Sequence, residues 1–227
     1  MVANSTPVQG MSLKSRRSHS ETMRWIQVRC QPRSGLLTET SRTRGTKLPR
    51  MMPPQDLTIR LASADDAPAL AALGRRTFTE AFGADNTADD LATFLESTYT
   101  PALQRAELTD PVLTYLLLER SGTPVAFALL RANSVSPFIE DPSAIELQRF
   151  YVDQSCHGTG VAQALMASCV ETARRAGATT LFLGVWEQNP RALRFYAAQH
   201  FTEVGRKVFQ VGSDSQQDLV LARRLAP

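Results

Sequence analysis

Residues 145–162 read IELQRFYVDQSCHGTGVA: a β-rich apolar run from Ile145 to Val152, a polar turn, and two glycines, Gly158 and Gly160, just before a second apolar segment. In that segment Val161, Leu165, Cys169, Val170 and Ala173 repeat at helical spacing, and Gly177 ends it. A strand that feeds a short glycine loop and then a helix gathers unpaired backbone N–H groups and the positive helix end at one point. Such a point suits a phosphate or diphosphate. Gly158 and Gly160 let the backbone approach an anion that a side chain would block. Two glycines before a helix are more often a plain tight turn. No Gly-Lys-Ser/Thr follows, as a P-loop requires, and the GxGxxG dinucleotide spacing is absent.

Outward from this stretch the pattern is mixed. Upstream, Leu57 to Leu61 reads as a strand. Ser63 or Asp66 caps a helix to about Phe82, Thr87 starts a second helix and Pro101 a third. Thr114 to Glu119 and Val125 to Arg131 flank Ser121-Gly122-Thr123-Pro124, which is hairpin chemistry. Downstream, Thr180 to Val185 reads as a buried strand, Asn189-Pro190 opens a helix with a cap and a first-turn proline, and strands at Val204 to Gln210 and Asp218 to Ala222 follow. The expectation is one α/β domain over residues 53–227, with no internal repeat.

The net charge of +3 over 227 residues divides unequally. Residues 1–52 hold ten Lys or Arg and two Glu, a net +8, while the remainder holds fifteen basic and twenty acidic residues, a net −5. The first segment is rich in Ser and Thr and lacks any apolar period, so it reads as a disordered basic extension. An organellar leader, a basic arm and translation from upstream of a start at Met51 or Met52 all fit it, and nucleic-acid binding is disfavoured because Trp25 is its one aromatic. The three cysteines (Cys30, Cys156, Cys169) and three histidines (His19, His157, His200) show no metal-ligand or disulfide spacing, so no metal is expected and a reducing, cytoplasmic setting is the default. No apolar run is long enough for a membrane-spanning helix.

Taken with Leu147 to Val152 and the glycine loop, the stretch Leu183-Gly184-Val185-Trp186-Glu187-Gln188-Asn189-Pro190-Arg191-Ala192-Leu193-Arg194-Phe195-Tyr196, followed by His200-Phe201, resembles the GNAT superfamily of acyl-CoA N-acyltransferases. The likeness covers about residues 57–225 and is strongest over 145–205. It implies an α/β fold with a mixed, mostly antiparallel sheet flanked by helices, and acetyl-CoA as co-substrate. The family's loop reads Gln or Arg, x, x, Gly, x, Gly or Ala and cradles the diphosphate of coenzyme A. Gly160 and Ala162 match it, whereas His157 departs from it. The resemblance therefore places His157, Gly158, Thr159, Gly160, Val161 and Ala162 at the diphosphate, with backbone N–H groups doing most of the holding. A solvated turn residue is the plainer reading of His157.

Phe150, Tyr151 and Val152 fall where the family opens a bulge in its central strand and pairs backbone with the pantetheine arm, their side chains serving as core. Asn189 matches a residue that contacts the coenzyme, though its place before Pro190 already explains it as a helix cap. Tyr196 matches the usual general acid, a role a phenol suits because it stays protonated at neutral pH. A free amine attacking the acetyl carbonyl must lose a proton, and Glu146, on the strand that binds the coenzyme, is the candidate base; a solvent-facing strand residue is its other reading. Cys156 and Cys169 lack a partner histidine by pattern, so covalent catalysis is disfavoured.

Within the superfamily, Thr77-Phe78-Thr79-Glu80-Ala81-Phe82, Leu183 to Glu187 and Asp218-Leu219-Val220-Leu221 resemble PaiA-type polyamine acetyltransferases. That implies a small-molecule amine acceptor, with Glu80, Asp85 and Glu187 as acidic lining and Phe78, Phe82 and Trp186 as apolar or cation–π contacts. The plainer reading of each is an ordinary surface charge or core aromatic. A protein or peptide acceptor, or a regulator that binds acyl-CoA without turnover, remains an alternative, and a homodimer is compatible with the chain.

Overall fold

A computed structural model describes residues 56–83, 87–211 and 214–225, apart from the side chains of Phe82 and of residues 209–211 and 214–216. The basic extension, the Met51-Met52 junction, Asp85 and the Phe82 side chain lie outside the described residues. The elements in chain order are β1 (Leu57–Leu61), α1 (Ala67–Phe82), α2 (Ala88–Thr98), α3 (Pro101–Leu108), β2 (Leu113–Arg120) and β3 (Thr123–Arg131). There follow β4 (Ile145–Val152), α4 (Val161–Arg175), β5 (Thr180–Trp186), α5 (Pro190–Ala198), β6 (Thr202–Val211) and β7 (Asp214–Arg224). Ser63 precedes a 3₁₀ turn, Ala64–Asp66, and Asp66 stands at the N-cap position of α1, its carboxylate accepting from the Ser63 N–H (2.7 Å) and not from an amide of α1. Thr87 and Thr100 accept from the N–H groups of Asp90 and Leu103 (both 3.2 Å) and so begin α2 and α3.

Seven strands form one sheet in the order β1-β2-β3-β4-β5-β7-β6, every neighbouring pair antiparallel except β4 with β5. Alternation divides the side chains between two faces. Leu147, Phe150, Leu181, Leu183 and Val185 join α4 and α5 in the larger core, with Val161, Leu165 and Cys169 contributed by α4. On the opposite face Tyr115, Leu117, Phe127 and Tyr151 pack against Leu70, Leu73, Phe78, Phe94 and Tyr99 from α1 and α2.

A buried charge joins α3 to this second face. Arg149 donates to Glu107 through both terminal nitrogens (2.7 and 2.9 Å), lies 5.5 Å from the Tyr99 ring centre, and is joined at Glu107 by the Tyr115 hydroxyl (2.5 Å). Bidentate pairing and the ring make burial of the guanidinium tolerable. The same ring fixes α1. A β-carbon added at Gly74 would come within 2.3 Å of Tyr99 Cδ1, and Tyr99 is itself held by Phe78, Phe94 and Tyr151. Gly74→Ala should therefore destabilise the domain by about 1–3 kcal/mol, the usual cost of overpacking. Thermal unfolding should show roughly a 3–10 °C fall in Tm, and an unchanged Tm would show that α1 does not pack this closely.

Candidate active site

Parallel pairing of β4 with β5 covers two residues on each strand, Ile145 with Leu181 and Glu146 with Phe182. Beyond that point β4 stays with β3 as far as Val152 opposite Ala126, while β5 follows β7 along its whole length, Thr180 to Trp186 against Arg224 to Asp218. The strands splay, and from residue 147 onward β4 has no strand partner on its β5 side among the described residues. A bulge accompanies the divergence: Leu129 opposes Arg149 and Leu130 opposes Leu147, which leaves Gln148 as the extra residue. The bulge expected at residues 150–152 thus lies earlier, because those three keep regular partners at 126–128; they do form part of the open edge.

The chain leaves β4 through a 3₁₀ turn, Gln154–Cys156, in which Asp153 Oδ1 accepts from the Ser155 N–H (3.0 Å). Gly158 and Gly160 have φ of +77° and +89°, a region costly for any residue with a β-carbon. At Gly158 the requirement is conformational, since an added β-carbon would meet nothing within 4 Å. Gly160 is the N-cap of α4, and the helical ladder starts with the Ala164 N–H donating to the Gly160 carbonyl (3.0 Å). The N–H groups of Val161, Ala162 and Gln163 precede that ladder and project from the helix end. Thr159 closes the turn by donating its hydroxyl to the Cys156 carbonyl (2.7 Å).

His157 is partly buried, with Nε2 3.1 Å from the Val152 carbonyl. Burial, reinforced by the charge of Arg191, holds its imidazole below the ordinary histidine value. A neutral ring then donates Nε2–H to Val152. The freely solvated residue of the sequence reading is corrected: His157 ties the loop to the end of β4. Glu80 also differs from expectation. It is exposed on α1 and accepts from the Gln154 N–H (3.3 Å), beside the Arg76–Asp153 ion pair (2.8 Å), so it braces this turn.

Across the splay, Asn189 caps α5 by accepting from the Ala192 N–H (3.0 Å), and Pro190 follows it. Asn189 is 1% exposed, and its Nδ2 is buried without a hydrogen-bond partner among the described residues. An orphaned buried donor is costly, and a ligand carbonyl reaching this helix end would satisfy it. This donor, the amides at the start of α4 and the unpaired edge of β4 together fit an extended carrier that bears a diphosphate at one end and amides along its length. Tyr196, 1% exposed, lies against Phe201, Phe195 and Phe150 at 5.6, 5.4 and 6.5 Å between ring centres, on the α4/α5 face of the splay. Its phenol is near enough to Tyr151 to disfavour ionisation there, in addition to the stronger effect of burial.

Glu146 faces the other way. It is 2% exposed and accepts from the Ser134 hydroxyl, and Gln148 also hydrogen-bonds to it. Burial pushes its carboxyl above the ordinary value despite these partners and the nearby charges of Arg131 and Lys207. The solvent-facing alternative is therefore wrong. Asp218, also buried, lies on β7 opposite both Trp186 and Lys207. Because Val220 and Ala222 pack with Phe182 while Leu219 and Leu221 join the larger core, alternation puts Asp218, Trp186 and Lys207 on the Phe182 face. Lys207 and Asp218 went unassigned in the sequence, although the alternation Asp218, Val220, Ala222 marks that carboxylate as inward-facing.

Of the other expected acceptor contacts, Trp186 is partly exposed at the end of β5, and Glu187 pairs with Arg206 (3.7 Å). Phe78 is a core residue, 3% exposed and stacked on Phe94 with ring centres 4.1 Å apart. Among the described residues no group of three His, Cys, Asp or Glu could hold a metal, and no helix is long and apolar enough to cross a membrane.

Comparison with known proteins agrees with this geometry. Residues 77–201 match the model of the acetyltransferase (GNAT) family. An uncharacterized N-acetyltransferase of Lactobacillus delbrueckii subsp. lactis is 32% identical over 163 residues, 72% of this chain and 94% of that protein. One from Mycobacterium tuberculosis is 34% identical over 160 residues, 70% of this chain and 98% of that protein. The fold is shared with the PaiA N-acetyltransferase of Thermoplasma acidophilum, crystallised with coenzyme A (TM-score 0.60, 16% identity, 74% of this chain and 98% of that one). It is shared too with the ribosomal-protein-S18-alanine N-acetyltransferase of Escherichia coli (TM-score 0.53, 18% identity, 75% of this chain and 95% of that one). The chain is therefore an N-acetyltransferase of the GNAT family, and acetyl-CoA is its co-substrate.

Proposed function

We propose that the chain acetylates the primary amine of a small molecule by direct attack, with Glu146 as base and Tyr196 as acid. The observation that carries this reading is their placement on opposite faces of β4, at the point where its edge opens toward β5. Acetyl-CoA, when bound, supplies the thioester carbonyl that the amine attacks. The amides of residues 158–163 hold its diphosphate, and the open edge of β4, with Asn189 Nδ2, holds its pantetheine arm. Glu146 takes the proton that the amine must lose, directly or through water. Backbone N–H groups on the β4 edge hold the charge that develops on the carbonyl oxygen. Tyr196 keeps a proton for the departing sulfur. No serine or cysteine nucleophile is needed, since Cys169 is sealed in the core and burial pushes its thiol far up.

For the acceptor, a polyamine is the finer reading. On the Phe182 face its counter-charges would be the buried Glu146 and Asp218, the latter opposite Lys207, with Trp186 as a cation–π surface. Two free, buried cysteines, Cys156 and Cys169, support a reducing, cytoplasmic setting. Acetyl-CoA turnover screened over polyamines, amino acids, aminoglycosides and peptides tests the acceptor class, and turnover with peptides alone would replace the small-molecule reading.

Tyr196→Phe should lower kcat by about a hundredfold or more while leaving the KM for acetyl-CoA nearly unchanged, as expected when proton transfer is lost and binding is kept; steady-state kinetics with unchanged kcat would remove Tyr196 as the acid. The base acts only when ionised, and burial raises the Glu146 carboxyl, so activity should fall with decreasing pH across a range above that of ordinary carboxylates. Glu146→Gln should cut kcat and abolish this acid limb; a limb that persists in the variant belongs to another group.

A further inference from the structure

The chain between β3 and β4, residues 132–144, lies as a strap across the Phe182 face of the sheet. Phe138 and Ile139 pack against Phe182 of β5 and against Val220 and Ala222 of β7. Phe138 also reaches β6, where a β-carbon at Gly205 would overlap its ring. Near its end Asp141 accepts from the Ser143 N–H (2.9 Å) and the Thr179 hydroxyl (2.6 Å), which ties the strap to the start of β5. At its beginning the Ala132 N–H donates to the Val112 carbonyl (2.8 Å). Asn133 then takes a φ of +55°, a left-handed turn that asparagine tolerates better than most residues. That turn brings Ser134, three residues after Arg131, back to β4, where its hydroxyl donates to Glu146 Oε2.

Glu146 is surrounded by named groups. Arg131 stands opposite it in the β3–β4 ladder, and Phe182 is its partner on β5. Arg131 and Lys207 of β6 act on it through their charge, and Gln148 of β4 adds a hydrogen bond. Asp218 of β7 shares the face and lies opposite Lys207, while Arg149 of β4 is committed to Glu107. With Glu146 2% exposed, little water reaches its carboxylate. A hydroxyl that donates to one of its oxygens then does two things: it favours the charged form, and it fixes the side chain's rotation so that the remaining lone pairs keep one direction.

We propose that Ser134 is a positioning residue of the reaction: held by the strap, its hydroxyl orients Glu146 toward the acceptor amine and stabilises its negative charge. The inference rests on Glu146 as the base proposed above. No bond to Ser134 forms or breaks. Burial raises the Glu146 carboxyl, and the Ser134 hydrogen bond works against burial. Without the hydroxyl the ionised form loses that support, so the carboxyl titrates at higher pH and the base is lost sooner as pH falls.

Two measurements against pH on the whole chain test it: carbon-13 NMR of carboxyl-labelled glutamate, and acetyl-CoA turnover with spermidine or the best amine of the screen above. The proteins are wild type, Ser134→Ala, Ser134→Thr and Glu146→Gln, the last identifying the Glu146 resonance by its absence. In Ser134→Ala that resonance should titrate about one pH unit above wild type, as expected for loss of a hydrogen bond to a charged group, and Ser134→Thr, which keeps the hydroxyl, should restore it. The ratio of wild-type to Ser134→Ala kcat should be several-fold above the acid limb and rise about a further tenfold below it, with the KM for acetyl-CoA unchanged. The acceptor's own protonation is common to both proteins and cancels in the ratio. A Glu146 resonance that titrates alike in wild type and Ser134→Ala would overturn the proposal, whatever the kinetics. A resonance that moves while the kcat ratio stays flat with pH would instead overturn Glu146 as the base.

Discussion

The parallel pairing of β4 with β5 lasts two residues, and both strands are then claimed by other partners. β5 gives all seven of its residues to β7, while β4 keeps β3 as far as Val152. Neither strand can rejoin the other without breaking an antiparallel ladder, so the opening is built into the topology. It leaves backbone donors and acceptors of β4 without strand partners, at about 1 kcal/mol for each bond not made. Burial of Phe150 and Val152 with Phe195 and Tyr196 of α5 offsets part of this on one side. An extended ligand that supplied the missing strand would offset the rest, which is the role proposed here for a long, amide-bearing carrier.

Two helix ends converge on the mouth of the splay, and the chemistry on its two faces differs. On the α4 and α5 side, glycines at positive φ bare the amides before α4, and Tyr196 stands among aromatic rings. On the opposite side, carboxylates are buried in the sheet surface, Glu146 with Ser134 and Gln148, and Asp218 across from Lys207. Burial raises the Glu146 carboxyl despite its cationic neighbours, the direction that the proposed base calls for. Nearby, Arg149, Glu107 and the Tyr115 hydroxyl form a part-buried cluster that holds α3 on the sheet.

Most of the fold is legible in the sequence because its signals are local. Thr87 and Asn189 cap helices where their positions before apolar periods place them, Pro101 opens α3, and Ser121-Gly122 makes the hairpin turn between β2 and β3. Gly158 and Gly160 likewise mark the loop correctly. What depends on register and on the third dimension is not legible. The position of the bulge at Gln148 follows from how β3 and β4 align, which neither strand encodes alone. The burial of Glu146, the packing of Phe78 against Phe94 and the diversion of Glu80 to the Gln154 amide depend on contacts with β3 and its following loop, with α2 and with the turn after β4.

The central claim, that the splay and the bare end of α4 are one binding surface, is tested most directly by amide hydrogen exchange with and without coenzyme A. It predicts slowed exchange in two segments separated in sequence, residues 158–163 and the β5-facing amides of residues 147–152, with little change in β1 or in the β2–β3 hairpin. Binding without protection in both segments, or with protection confined to surfaces away from the β4–β5 opening, would contradict it.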